Sequence, residues 1–341
     1  TPAFWIENTK ARAYLYDMAL TLISAVGMKD YKFADRVLQG IMDSQYANGA
    51  FPFSVNHLNP DPTLQDPYFR TGAIAWVAYS LGYYLQYRLN SPLKSACQSS
   101  LVQVLTYIES LMDNPIGLPT GGSGRYYMEG GLELFDAGYV IPWISTEHNI
   151  DSYFAFKQAG KVLGSQSYKD KSTFIKDTML SQLWDSANNR FYQGINNAAT
   201  NDKDTADALD CNSWGAIMLF SAGETVKANQ LLSRLDTYYK VTDETLGITG
   251  YKPYSPSWGY PGALDTLWIE GTLGVALAFW RAKDYEKYSE VMANVDVTEN
   301  EDGSYRYAAI RDEVYQISNY PSTCSTSWRI ISGRLKSTVW T

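Results

Sequence analysis

The sequence predicts an all-α fold: an (α/α)6 toroid of helical hairpins with inner and outer rings and short β-hairpin lips at one end, filling residues 1–341 as one domain. Three observations predict it. Apolar residues recur at helical spacing along most of the chain, while sustained strand alternation is nearly absent. The helical stretches alternate between two kinds, one apolar all round and one with a charged face. The connections also alternate, short turns that often contain glycine with long ones rich in aromatic residues.

Taken in order, helical periodicity covers 9–26, 31–46, 69–90, 93–112, 147–164, 168–183, 207–222, 224–239, 265–282, 284–294 and 323–333, eleven helices, with a short twelfth expected at either end. The stretches FRTGAIAWVAYSLGYYL, EHNIDSYFAFKQAG, LDCNSWGAIMLFSAG, DTLWIEGTLGVALAFW and CSTSWRIISG carry aromatic and small residues on every side and are expected inside. YKFADRVLQGIMDSQ, YKDKSTFIKDTMLSQLW, ETVKANQLLSRLDTYY and DYEKYSEVMANV are amphipathic and expected outside. Inner helices start at intervals of roughly 55 to 60 residues, with one longer gap after the second, as in a repeated helical hairpin.

Short inner-to-outer turns include SAVGMKDY, KVLGSQSY and FSAGETV. The long connections ANGAFPFSVN, GLPTGGSGRYYMEGG, ANNRFYQGINN, GITGYKPYSPSWGYPG and EDGSYRYAAI place turn residues before alternating aromatics, which predicts small hairpins or extended lips. Each leads into the start of an inner helix, so all of them are expected at one end, the mouth.

Composition narrows the partners. With 45% hydrophobic residues the chain can bury a large core. A net charge of -8 without clusters of Lys and Arg argues against nucleic acid and anionic membrane. The 27 Tyr, 12 Phe and 10 Trp suit sugar faces as well as cores. Cys97, Cys211 and Cys324 are too widely spaced for a CxxC site or a disulfide framework, and no apolar run approaches the length of a membrane span.

Polar side chains gather where inner helices begin: Asp17 in LYDMAL, Asp66 and Arg70 in DPYFRTG, Glu147, His148, Asn149 and Asp151 in STEHNIDSYF, Asp207 and Asp210 in DALDCNSW, Asp265 and Glu270 in LDTLWIEG. An acid in a first helical turn is often only a complement to the helix dipole. Recurrence on buried helices, where an unpaired charge is costly, turns the pattern toward chemistry.

The stretches YDMAL, QYANGAFPFS, RTGAIAWVAYSL, STEHNIDSYFAF, LDCNSWGAI, WIEGTLGVALAFW and STCSTSWRI, in order, resemble bacterial (α/α)6-barrel carbohydrate-active enzymes, the clan of inverting glycoside hydrolases with related lyases and epimerases, in particular exopolysaccharide-associated members. The resemblance spans nearly the whole chain. It implies a secreted or cell-surface enzyme acting on an oligo- or polysaccharide. Epimerases of the group usually rely on paired histidines, which two histidines, one of them His57 in a loop, fit poorly.

Inverting hydrolysis needs a carboxylic acid for the leaving oxygen and a carboxylate to activate water, roughly 6.5–9.5 Å apart. Glu147 is the first candidate acid, with Asp151 one turn below able to influence its proton. A helix start lowers a carboxyl pKa, so burial near Trp143 would have to outweigh it; otherwise Glu147 is the base or a ligand of sugar hydroxyls. Asp210, then Glu270, then Asp265, are candidates for the second carboxylate.

Expected substrate contacts are Asp66, Arg70, Trp143, His148, Asn149, Tyr127, Trp214, Trp258, Asp265 and Trp268. No HExxH spacing occurs, and neither metal nor cofactor is expected. The expectation is an endo-acting, inverting hydrolase of a bacterial exopolysaccharide. A lyase using a Tyr or His base on a uronate-containing glycan, and a noncatalytic glycan-binding module, stay open.

Overall fold

The structure, a computed structural model, describes residues 11–58 and 68–341. Eleven α-helices lie among them: α1 (Leu15–Gly27), α2 (Tyr31–Asp43), α3 (Thr71–Tyr87), α4 (Lys94–Ser110), α5 (Thr146–Val162), α6 (Gln166–Gln182), α7 (Leu209–Ser221), α8 (Thr225–Tyr238), α9 (Ile269–Arg281), α10 (Tyr285–Asp296) and α11 (Thr323–Arg334). Each expected helical stretch holds one. Helix α1 starts late because Arg12–Tyr14 pairs with Ser54–Asn56 as a strand. Helix α9 starts at Ile269 rather than 265 because the Trp268 amide donates to the Tyr251 carbonyl at 2.9 Å, which keeps that segment extended. Residues beyond Arg334 form turns rather than a twelfth helix, and residues 1–10 lie outside those described.

The chain forms two compact units, the first running to Ile175 with Asn197–Asn201 added, the second holding Lys176–Asn196 and Asp202–Thr341. In the first, α1 packs on α3 and α3 on α5, while α2 and α4 flank α1 and α3. In the second, α7 packs on α9 and α9 on α11, flanked by α8 and α10. Burial follows the two sequence types. Helix α3 is buried at every position from Thr71 to Leu85, whereas α2 buries only Ala34, Leu38 and Ile41 along one stripe.

Backbone hydrogen bonds hold the helix starts together within each unit. In the first, Leu15 donates to Phe53 (3.1 Å), Phe53 to Tyr68 (2.7 Å), Thr71 to Gly121 (3.2 Å) and Gly121 to Trp143 (2.8 Å). In the second, Leu209 donates to Pro253 (2.9 Å), Ile269 to Tyr307 (3.0 Å) and Tyr307 to Tyr320 (2.8 Å). The start of one inner helix is thereby tied to the lip that feeds the next. A first-turn amide that the helix cannot satisfy finds its acceptor there.

The expected lips form paired strands, some as tight hairpins and others with distant segments, Ser54–Asn56 with Arg12–Tyr14 among them. Gly122–Glu129 pairs with Leu132–Val140, Trp184–Asp185 with Arg190–Phe191, Lys240–Asp243 with Ile248–Tyr251 and Tyr305–Arg306 with Pro321–Ser322. The longest turns at Gly130 and Gly131, whose φ of 57° and 80° suit glycine in a two-residue hairpin loop. Cys97, Cys211 and Cys324 are buried free thiols. Among the described residues no helix is long and apolar enough to cross a membrane.

In the second unit the core is centred on Trp214, stacked on Trp328 at 5.3 Å and 14°, with Trp340 edge-on at 5.5 Å. A glycine lets it fit: a Cβ on Gly274 of α9 would lie 2.4 Å from the Trp214 ring nitrogen. Gly274→Ala should therefore lose about 1–3 kcal/mol by overpacking, against a helix-propensity gain of only about 1 kcal/mol. Urea unfolding reads the balance; a net gain would mean the indole moves aside freely.

Candidate active site

In the first unit the starts of α3 and α5 bring Arg70, Trp143 and His148 together. The Arg70 guanidinium lies 4.1 Å from the centre of the Tyr68 ring and 5.4 Å from that of Trp143, and the Trp143 and His148 rings are 5.4 Å apart. His148 fits against α3 because residue 72 is glycine, where a Cβ would stand 2.5 Å from the imidazole. Burial, helped by the Arg70 charge, lowers the His148 pKa to about 3, so the ring is neutral at physiological pH. No hydrogen-bond partner among the described residues reaches its Nδ1.

Glu147 is half-buried one residue into α5, and Asp151 is fully buried a turn later. Asn149 is a structural clamp instead of a sugar contact: its amide nitrogen donates to the carbonyls of Ser145 (2.8 Å) and Pro119 (3.2 Å), and the residue is fully buried. Tyr127 lies out on the long hairpin, 37% exposed, with Arg125 over its ring at 5.6 Å. Asp66 falls outside the described residues. Asp17, in the first turn of α1, was legible in LYDMAL but unranked; burial raises its pKa to about 6.

In the second unit Asp210 and Glu270 occupy the same place on neighbouring helices, the second residue of α7 and of α9, as Glu147 does in α5. Each follows an extended cap, at Ser145, Ala208 and Trp268. Glu270 is buried. Desolvation, reinforced by the charge of Asp207, raises the Asp210 pKa to about 6, even though its carboxylate accepts the Cys211 amide at 2.7 Å.

The other acids of this unit do different work. Asp207 is fully buried and accepts from Arg234 (2.6 Å) and from Asn212 (2.6 Å), with Arg190 at 3.7 Å. Asp265 is exposed and paired with Lys252 at 2.6 Å, which places it in a surface ion pair rather than at a reacting centre. Trp214 is core, as described, and offers no face to a sugar. Trp258 is held by two guanidinium groups, Arg190 at 4.4 Å and Arg234 at 5.3 Å, and so braces the Asp207 network. Trp268 is nearly buried, 6.2 Å from Tyr307.

Of the aromatic surround of Asp210, the loop ring Tyr254 stands out in the sequence as a ligand platform, whereas Tyr260 and Tyr315 do not. Tyr254 and Tyr260 stack at 4.1 Å and 18°, and Tyr315 packs on both at 5.3 and 5.5 Å. The Tyr260 hydroxyl donates to the side-chain amide oxygen of Gln193, and its pKa is driven far upward by burial, the Asp210 charge and Tyr254. The signal was the glycine in PSWGYPG. Gly259, at φ 91°, turns the chain so that Trp258 goes to the arginines and Tyr260 to Gln193. Among the described residues no three His, Cys, Asp or Glu side chains gather as a metal site.

No protein-family model matches the sequence, and no curated protein matches it. Solved structures do match. The chain superposes on D-mannose isomerase with a TM-score of 0.71 at 15% identity, over 96% of this chain and 87% of that one. Cellobiose 2-epimerase from Bacillus thermoamylovorans B4167 gives 0.68 at 11%, over 95% and 88%. The GH76 α-mannanase of Bacteroides thetaiotaomicron gives 0.58 at 10%, over 95% and 87%. At these identities the likeness is one of fold.

Proposed function

We propose that the chain is a carbohydrate-active enzyme, specifically a glycoside hydrolase of an oligo- or polysaccharide, built as one (α/α)6-toroid catalytic domain over residues 1–341. The fold it shares with sugar-processing proteins along nearly its full length supports the substrate class. The alternation of buried and amphipathic helices supports the toroid.

Asp210 carries the reaction type. A carboxyl with a pKa near 6 is protonated often enough near neutrality to give a proton to a leaving glycosidic oxygen. Asp210 is then the general acid, and Glu270, at the matching position of the adjacent helix, the base that activates water for inversion. Glu147, with Arg70, Trp143 and neutral His148, serves as a sugar-binding group of the first unit, with Asp151 buried a turn behind it. This reverses the order in which the sequence alone ranks Glu147 and Asp210. A bacterial exopolysaccharide as substrate, endo action and a secreted or cell-surface location complete the proposal, since a polymer that cannot enter a cell is met outside it.

The test is a panel of neutral and uronate-rich polysaccharides read for new reducing ends and for ultraviolet absorbance together. Hydrolysis gives reducing ends without absorbance. Absorbance rising with them would mean elimination and put a lyase in place of the hydrolase. Binding with neither would leave a glycan-recognition module.

A further inference from the structure

The loop that follows Tyr251 is laid across the start of α7 by three contacts: the Leu209 amide donates to the Pro253 carbonyl at 2.9 Å, the Asp207 amide to Trp258 at 3.1 Å, and Ala208 forms a bridge with Tyr254. Asp210 is the next residue along that helix. The rings this loop brings over are fixed before any ligand arrives. Tyr260 is held through Gln193, and the Tyr315 hydroxyl donates to the Pro261 carbonyl at 3.0 Å. The loop of Tyr315 is itself tied by Asp312, which accepts the Leu264 amide at 3.1 Å and the Val314 amide at 2.9 Å.

Half-buried tyrosines held in place, Tyr260 and Tyr315 by their hydroxyls and Tyr254 by its stack on Tyr260, have little rotamer entropy left to lose on binding, and their ring faces and edges suit the C–H face of a sugar. The charges around them bear on which sugar. Arg190 and Arg234, behind Trp258, are taken up by Asp185 and Asp207, and Lys252 by Asp265. The acid beside the wall is Asp210, whose ionised form would repel a sugar carboxylate.

Resting on the hydrolase reading above, we infer that Tyr254, Tyr260 and Tyr315 form a binding wall for an uncharged pyranose ring beside Asp210, with Gln193 as the residue that positions Tyr260. The wall selects neutral sugar units at the subsite next to the acid. Tyr260 supplies ring contact, and its hydroxyl serves the loop, not the ligand.

The experiment uses the full chain and the neutral polysaccharide it cleaves, with oligosaccharides cut from that polymer and uronate oligosaccharides of equal length as probes. Tyr260→Ala and Tyr315→Ala are expected to raise KM at least about tenfold with a smaller change in kcat. Tyr260→Phe and Gln193→Ala, which keep the ring but cut its tether, should give equal and smaller rises, and Tyr260→Phe stays informative if the alanine variant does not fold. In Glu270→Gln, which removes the proposed base but keeps the Asp210 carboxyl, neutral oligosaccharides should bind at least about tenfold tighter than uronate ones. An active wild type whose KM is indifferent to Tyr260→Ala and Tyr260→Phe, or equal affinity for both sugar classes, overturns the wall alone. A wild type that neither binds nor cleaves any glycan overturns the hydrolase reading and the wall with it.

Discussion

Asp207→Ala is expected to lose about 3–5 kcal/mol of folding stability, because the change strands two buried guanidinium groups rather than removing one contact. Arg234 and Arg190 are 7% and 2% exposed, and both lie against the same carboxylate oxygen, at 2.6 and 3.7 Å. Arg190 keeps Asp185 at 3.3 Å and the carbonyls of Thr205 and Ala206, so it is left better served than Arg234. Asn212 also loses an acceptor at 2.6 Å, although it still donates to the Ala208 carbonyl at 2.9 Å. The pair Lys252–Asp265, whose carboxylate is 72% exposed, is the internal control. Its removal by Asp265→Ala should change stability by no more than about 1 kcal/mol despite an equal 2.6 Å separation, since water screens it. Urea unfolding with unchanged m-values makes the comparison. Equal losses at the two sites would mean that separation, rather than burial, sets the strength of these pairs.

That contrast also marks what the sequence could reveal. Hairpin organisation was legible because it rests on local pattern: an all-apolar stretch beside an amphipathic one, repeated. The clustering of polar residues at inner-helix starts was legible for the same reason, and Glu147, Asp210 and Glu270 do hold equivalent second positions. The work each acid does was not. Asp207 and Asp210 stand three residues apart in DALDCNSW, yet one is neutralised by Arg234, 27 residues downstream, and the other is not. Such partners come from packing, not from periodicity. Trp214 looked like a platform because it follows Asp210 by four residues, but a glycine on the neighbouring helix admits it to the core. The exposure of Asp265 and the carbonyl partners of Asn149 are hidden likewise, since they depend on loops whose paths local pattern does not fix. Tyr260 and Tyr315 were passed over because they come from separate loops that meet only in the fold.

Asp210→Asn should abolish most activity and at the same time stabilise the protein at neutral pH, two effects with one cause. Protonation of a leaving group by a placed acid contributes roughly 10²–10⁴ in rate, and the amide cannot supply it, so kcat on a natural glycan should fall by about that factor. An aryl glycoside whose leaving group departs without a proton should be largely spared, which separates an acid from a base. In the wild type, rate should decline as pH rises past about 6, where the acid ionises, and the variant should lack this limb. The sign for stability follows from linkage. The folded-state value is raised from 3.8 to about 6, so between these values the native chain binds more protons than the unfolded one, and stability falls as pH rises through that window. Asparagine carries no such penalty. The variant should therefore match the wild type near pH 4 and exceed it increasingly toward pH 7, with Asp17, raised in the same direction, a background common to both. Thermal unfolding of the two proteins across this range gives the difference directly. A gap that stays constant with pH would show that Asp210 is ionised in the folded protein as easily as in the unfolded one, and with that the case for it as the general acid would be lost.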